Sequence, residues 1–488
     1  MDTLEEIIGA AGGQLWTWIV LPVVVGLGLY FTIRTGVVQF RMIPDMIRTL
    51  TNKTPTDAAG RAQSISAFQA FTVSAASRVG VGNIAGVGTA IAVGGPGAVF
   101  WMWLMAFIGG SSSFVESTLG QLYKTKDRDA FRGGPAYYIE RGLGARWAGI
   151  LFAVVLIICF PFAFSSLQAN TISASVTSTF GGDTMTIAWI VGIALAVLTG
   201  LVVFGGIRRI ASVTQSVVPA MALIYLAVGI IIVALNVSEV PRVFGQIFSG
   251  AFGFQEVAGG LIGTIILTGV QRGMFSNEAG LGSAPNAGAS AAVTHPVKQG
   301  LVQTLGVYFD TFLVCSITAF IILVSNPDLG SLEEGISTTQ EAMVANLGSW
   351  ASVLLSVIIF LLAFSSILGN YYYGEANIEF ITNSAKVLTG YRVLAVVAVL
   401  GGSVASTSLI WTMADGMMGV MALVNLVAIG LLSGIAFKLL RNYSEQRRAG
   451  KDPVFTQDQV PGLKNVEFWQ DADTVTGPVA VPRASRRR

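Results

Sequence analysis

Two short strings in this chain carry the residue types from which a binding site for a charged solute can be built. Residues 78 to 90 read RVGVGNIAGVGTA and residues 272 to 284 read RGMFSNEAGLGSA; aligned without gaps, both are RxxxxNxAGxGxA. Arg78 matches Arg272, Asn83 matches Asn277, Gly86 and Gly88 match Gly280 and Gly282, and Thr89 matches Ser283. Each glycine weakens a helix by about 1 kcal/mol, so both strings are poor continuous helix. Unwound backbone inside a membrane is tolerated where it lines a cavity or is buried in protein. There its freed N–H groups hold a carboxylate and its freed carbonyls hold a cation. A single string of this kind is better explained by glycines that let helices pack closely. A matched pair predicts a site for a small zwitterion and an ion.

Five charged residues lie within apolar stretches: Arg78, Glu116, Arg272, Glu278 and Asp310. A charge at membrane depth costs at least about 2.5 kcal/mol and faces the interior of a helix bundle. Arg78, Glu116, Arg272 and Glu278 read as a structural charge network. Asp310 is the acid left over; beside Thr311 it reads as a cation ligand or as a proton carrier, two alternatives that stay open. Other chemistries lack material. His295 is the lone histidine, Cys159 and Cys315 lie in apolar runs as small buried residues, and there is no phosphate loop, HExxH or GxSxG string. Neither an enzyme nor a resident cofactor is expected.

The elements that position these residues follow from composition. The 488 residues are 53% hydrophobic and 11% charged, with 57 glycines and a mean hydropathy of +0.68. A soluble chain is about 25% charged, so a soluble multidomain protein is excluded and a lipid bilayer is the expected surrounding. A net charge of +2 implies no nucleic-acid partner. Asp2, Glu5 and Glu6 stand where a signal peptide carries basic residues, so the first apolar run reads as a retained span. Stretches near the length that crosses the hydrocarbon, about 20 residues, fall at 14–33, 64–93, 96–122, 147–179, 186–204, 212–236, 257–292, 299–325, 348–372, 393–412 and 416–438. With eleven spans and the N-terminus outside, all of the 29 Lys and Arg residues except Arg242 and the intramembrane Arg78 and Arg272 fall on the cytoplasmic side, as positive-inside bias requires. The repeated string opens the second and the seventh span, so each copy heads a five-span unit, and an odd span number inverts the second unit. The predicted fold is all-α and integral to the membrane, with two broken helices. It divides into an N-terminal span and loop (1–62), a first repeat (63–255), an inverted second repeat (256–440) and a cytoplasmic tail (441–488) with little capacity to bury a core. The tail ends in Arg486, Arg487 and Arg488. Trp101 and Trp103, near the outer start of the third span, read as interfacial anchors.

At this point the residues resemble the alanine or glycine:cation symporters. GGPGAVFWMWLMAFIG at 94–109, RGMFSNEAGLGSAPNA at 272–287, FDTFLVC at 309–315 and FSSILGNYYYGE at 364–375 are similar to that family's blocks. The resemblance implies a LeuT-like fold of five plus five inverted spans and secondary transport of small neutral amino acids with sodium across the inner membrane by alternating access. A monomer is expected. The resemblance also implies backbone amides near Gly80 and Gly82 for the substrate carboxylate and Asn83 as a sodium ligand. Phe275, Ser276 and Asn277 would form the opposite wall, and Phe164, Gln168 and Asn170 would face the substrate. Ser365 and Ser366, with carbonyls around Val79, would form a second sodium position.

Three positions depart from the family pattern: Arg78 stands where Thr is common, Ser113 where Lys is common, and Asn370 where Trp is common. The first two predict an Arg78–Glu116 ion pair. The third predicts a roomier, more polar substrate pocket. Proton coupling through Asp310 or Glu278 and a broader serine- or glutamine-type specificity remain alternatives, and an ion channel is a more distant one.

Overall fold

The structure is a computed structural model that describes residues 2–57, 60–127, 130–252, 262–332 and 334–477. The main helices are α1 (Gly9–Arg34), α2 (Ala67–Arg78), α3 (Gly82–Gly94), α4 (Gly97–Leu122), α5 (Arg146–Phe180), α6 (Thr184–Val203) and α7 (Gly206–Leu235). They are followed by α8 (Ile262–Asn277), α9 (Ala284–Ala289), α10 (Pro296–Val324), α11 (Trp350–Ile381), α12 (Ala385–Val404) and α13 (Thr407–Arg448). Among the described residues, nine helices are long and apolar enough to cross a membrane, and ten if α2 and α3, bent by 53° at their junction, count as one broken span. The predicted span at 257–292 begins in residues outside the described ones, as does the predicted 255/256 boundary between repeats.

Local sequence accounts for the helix starts. Ser66 opens α2 with a capping box, accepting from the Gln69 amide while Gln69 returns a bond to the Ser66 amide. Asp183, Ser384 and Ser406 cap α6, α12 and α13. The Ser406 cap corrects the predicted boundary at 412: Trp411 and Asp415 belong to the last helix. Within the bundle, α4 is buried along most of its length, packed against α10 and α8. At the periphery α6 exposes Ile190, Ile193, Val197 and Leu201, an apolar face of the kind lipid covers. Among the described residues four stretches are wound as π-helix: Trp16–Val20, Gly82–Gly86, Ile158–Phe164 and Phe309–Cys315. Such turns concentrate at functional sites because they re-aim side chains. Trp101 and Trp103, both partly exposed, donate their indole N–H groups to Ala251 O and Ser316 Oγ at 3.0 and 2.8 Å.

The segment after α13 differs from the expected unpacked tail. Phe455 and Trp469 are fully buried. Phe455 N donates to Thr294 O at 2.9 Å, Asp452 pairs with Lys298 at 2.8 Å, and Trp469 Nε1 donates to Leu122 O at 3.1 Å. The buried Lys124 ammonium lies 4.0, 4.3 and 4.7 Å from the rings of Phe131, Phe468 and Trp469. The segment is not periodic and cannot form a core alone. Its few aromatic residues fill space between loops that other elements have already brought together. Arg486, Arg487 and Arg488 lie outside the described residues.

Candidate functional site

The first break lies between α2 and α3. Val79 leaves the helix at φ −82°, ψ 88°, which frees the following amides. Gly80 N donates to Asn83 Oδ1 at 2.9 Å and Val81 N to Gln168 Oε1 at 3.0 Å. A Cβ on Gly80 would collide with Ser366 Oγ and lie 2.8 Å from Gln168 Oε1, so glycine there permits the approach of α11 and α5. Ser366 Oγ sits 2.8 Å from Ala76 O and 3.4 Å from Val79 O. Its neighbour Ser365 bonds back to Leu362 O at 2.8 Å and faces the Met221 sulfur.

The second break lies between α8 and α9. Glu278, Gly280 and Gly282 have φ values of +56°, +85° and +79°; in a non-glycine residue this conformation is held against strain by its surroundings. Glu278 accepts from Ser77 Oγ at 2.5 Å and Ser283 Oγ at 2.6 Å. Glu116, from α4, accepts from Gly280 N at 3.3 Å, Gly282 N at 3.1 Å and Asn425 Nδ2 at 2.7 Å. Its carboxylate therefore caps the amides that the break releases.

The two breaks meet at one acid. Asp310 is fully buried on the π-wound part of α10 and accepts from Asn83 Nδ2 at 2.7 Å and Ser276 Oγ at 2.8 Å. Asn277, the motif partner of Asn83, donates to the adjacent Thr311 Oγ1 at 3.2 Å and takes the Ala279 amide at 3.0 Å. Each asparagine thus holds an amide of its own break and reaches the same turn of α10. Beside them Phe275 stands against Gly82, edge-on to Phe164 at 4.9 Å and tilted on Trp411 at 5.2 Å.

Two expectations fail on geometry. Among the described ion pairs none joins Arg78 to Glu116; Arg78 Nη1 instead donates to Gln303 O at 3.0 Å, because Glu116 is turned toward the second break. Asn170 is also displaced from the group: it bonds Ala405 O, Gly402 O and Thr407 Oγ1 at 2.9, 3.3 and 2.7 Å, holding the α12–α13 turn. Arg272 pairs with Asp415 and lies over Trp411 at 4.7 Å. Asp415 falls between the predicted spans 393–412 and 416–438, and the Ser406 cap is the sequence signal that puts it inside a helix. With Arg272 and Arg392 paired to Asp415 and Glu375, one buried arginine, Arg78, faces three buried acids, Glu116, Glu278 and Asp310. Asn370 Oδ1 lies 2.7 Å from Ser77 Oγ, and its Nδ2 is buried without a partner.

A family model described as the sodium:alanine symporter family matches residues 1–457. The chain belongs to that family. It is 50% identical over 467 residues to the amino-acid carrier protein AlsT of Bacillus subtilis (strain 168), covering 96% of this chain and 98% of that protein. It is 46% identical over 474 residues to the probable sodium/glutamine symporter GlnT of the same organism, covering 97% and 98%. In fold it is similar to the crystal structure of MhsT in complex with L-phenylalanine, with a TM-score of 0.55 and 11% identity over 80% of this chain and 99% of that one. The symporter is therefore a multi-span secondary transporter, not an enzyme, and it couples an amino acid to sodium. The Asp310 carboxylate, held by the Asn83 amide and the Ser276 hydroxyl, is an anionic group that touches both breaks.

Proposed function

We propose that this symporter carries a small neutral amino acid, alanine or glycine, inward with sodium by alternating access, holding both solutes between its two broken spans. The convergence of Asn83 and Ser276 on Asp310 carries the reading, since it ties the two breaks to one anionic group. In this reading the substrate carboxylate takes the amides at Gly80, Val81 and Gly82, displacing Gln168 Oε1 from Val81 and Asn83 Oδ1 from Gly80, which frees the Asn83 oxygen for sodium. Phe164 and Phe275 pack against a small side chain, and Ser276 and Asn277 form the facing wall. Sodium is held by Asp310 and Asn83, with a second position at Ser366, Ser365 and Val79 O. Glu116, Arg272 and Glu278 hold the breaks in shape, and Arg78 offsets part of the buried negative charge.

The same reading takes the chain as eleven spans in the inner membrane, with residues 63–255 and 256–440 as inverted five-span repeats, the N-terminus outside and the C-terminus cytoplasmic. It works as a monomer. Glutamine-type substrates form a second reading, favoured by the 46% identity to GlnT and by the unpartnered Asn370 amide. Proton coupling draws on the excess of buried acids over Arg78. The test is uptake of labelled alanine, glycine, serine and glutamine into proteoliposomes under separate sodium and proton gradients. Saturable accumulation of alanine or glycine with sodium alone is the expected result. Accumulation under a proton gradient in sodium-free buffer would select the proton reading, and no accumulation of any amino acid would overturn the assignment.

A further inference from the structure

One group of polar residues extends from Arg78 away from the site just described. On the facing sides of α4, α10 and the end of α2, seven buried polar atoms have no protein partner: Arg78 Nε and Nη2, Ser113 Oγ, Ser117 Oγ, Thr118 Oγ1, Gln121 Oε1 and Gln299 Nε2. Their residues are at most 1% exposed. A helical Ser or Thr commonly bonds back to the carbonyl four residues earlier, as Thr304 does to Gly300 at 2.9 Å; the three hydroxyls on α4 do not.

A line of contacts runs through the residues that carry four of these atoms, while Ser113, Ser117 and Thr118 lie on the same helix as Gln121, with Thr118 Oγ1 against Gly300 of α10. Arg78 Nη1 bonds Gln303 O at 3.0 Å, and Gln303 Nε2 lies 3.4 Å from Gln299 Oε1. Gly288 lies beside both glutamines, and its carbonyl accepts from Gln121 Nε2 at 2.7 Å. Gln121 Nε2 and Lys124 Nζ share Ala291 O, each at 3.1 Å. The line runs from the middle of the bundle to the face where Phe468 and Trp469 cover Lys124. It passes between α4, α9 and α10, apart from the contacts of Gln168, Phe164 and Phe275 that face the first break.

A buried polar group without a partner costs about 1–3 kcal/mol. Seven such atoms on residues of α2, α4 and α10, each able to bond water, form the polar setting in which buried water is found. We propose that a file of water molecules occupies the space along these residues and links the Arg78 charge centre to the face carrying the C-terminal segment, as a route for water separate from the amino-acid path. The proposal rests on the packing of α2, α4 and α10, and it stands whether or not the transported amino acid is alanine.

Silver ion is small enough to follow a water file and bonds thiolates, so it serves as the probe. Purified, detergent-solubilised Ser117→Cys and Thr118→Cys proteins are exposed to it, denatured and alkylated, and each protected thiol is read by peptide mass spectrometry. Val115→Cys, on another side of the same buried helix, is the dry control, and the native Cys159 and Cys315 are scored separately. Reaction at 117 and 118 is expected to be about tenfold or more faster than at 115, because a dry site reacts only through local opening. Adding Gln299→Leu is expected to slow it. Equal rates at the three positions would overturn the proposal. If the cysteine variants do not fold, a structure of the native protein that shows internal water elsewhere decides the matter: water within bonding distance of Ser117 Oγ and Gln299 Nε2 upholds the file, and protein partners for both atoms refute it.

Discussion

Asn83, on the first broken span, donates its amide to Asp310 Oδ1 at 2.7 Å while holding the Gly80 N–H with its own oxygen. The side chain is therefore a rigid link between unwound backbone and a buried carboxylate. Ser276 reaches the other oxygen of the same carboxylate from the second broken span. A cation drawn to Asp310 would thus be sensed by both breaks, which is the physical requirement for coupling it to a solute held between them.

Asp310→Asn keeps the shape and removes the charge. Hydrogen bonds to charged groups contribute about 1.5–3 kcal/mol, so the sodium concentration for half-maximal uptake should rise on the order of tenfold or more. Uptake measured across a sodium titration checks this; an unchanged half-saturation point would remove Asp310 from the coupling site.

Gly80→Ala drives a methyl into Ser366 Oγ and Gln168 Oε1. Overpacking of this kind costs about 1–3 kcal/mol, borne where the break must form. The expected outcome is a protein that still elutes as a single species from gel filtration but has lost amino-acid uptake. Wild-type uptake would show that the break has room to spare.

Arg272 and Asp415 should behave as a unit. Losing one partner of this partly buried pair is expected to cost about 1–3 kcal/mol, so Arg272→Ala lowers the melting temperature of the detergent-solubilised protein. The double replacement with Asp415→Ala should recover much of the loss. Additive losses would mean that the pair, whose guanidinium lies over the Trp411 ring, contributes no coupling energy.

Trp469→Ala removes one wall of the Lys124 cage and the indole bond to Leu122 O. A large buried aromatic truncated to Ala typically costs about 3–5 kcal/mol, and here the cost is met by undocking residues 451–477. Limited proteolysis should cut this segment faster in the variant, with cleavage elsewhere unaltered.

Burial holds the His295 imidazole neutral, with its pKa pushed down to about 3 from 6.5. An unfolded chain takes up a proton at His295 as pH falls below 6.5, and the folded one does not until about pH 3. Stability is therefore complete above pH 6.5 and declines as pH falls toward 3, by up to about 1.4 kcal/mol per unit from this group. Thermal melts at stepped pH should show a steeper acid decline for wild type than for His295→Asn. Parallel curves would contradict it.

Much of the architecture was legible because membrane crossing is a local demand. A span must be apolar over its own length, and a break must carry its own glycines, so the helices, the two interruptions and the acids within them could be read one stretch at a time. Asp310 stood out for the same reason: a charge in an apolar run is conspicuous without knowledge of its neighbours. The partners were another matter. That Glu116 caps Gly280 and Gly282 instead of pairing with Arg78, that Arg272 finds Asp415, and that Asn170 secures a turn instead of facing the breaks all depend on helix rotation and on contacts across hundreds of residues. The docking of Phe455 and Trp469 depends on loops contributed by other elements. Sequence by itself determined that the chain is built of apolar helices, where the two matched strings interrupt them and which charges they carry. Only the tertiary structure decided which charge meets which, because side-chain pairing is set by the packing of helices that the chain brings together from far apart.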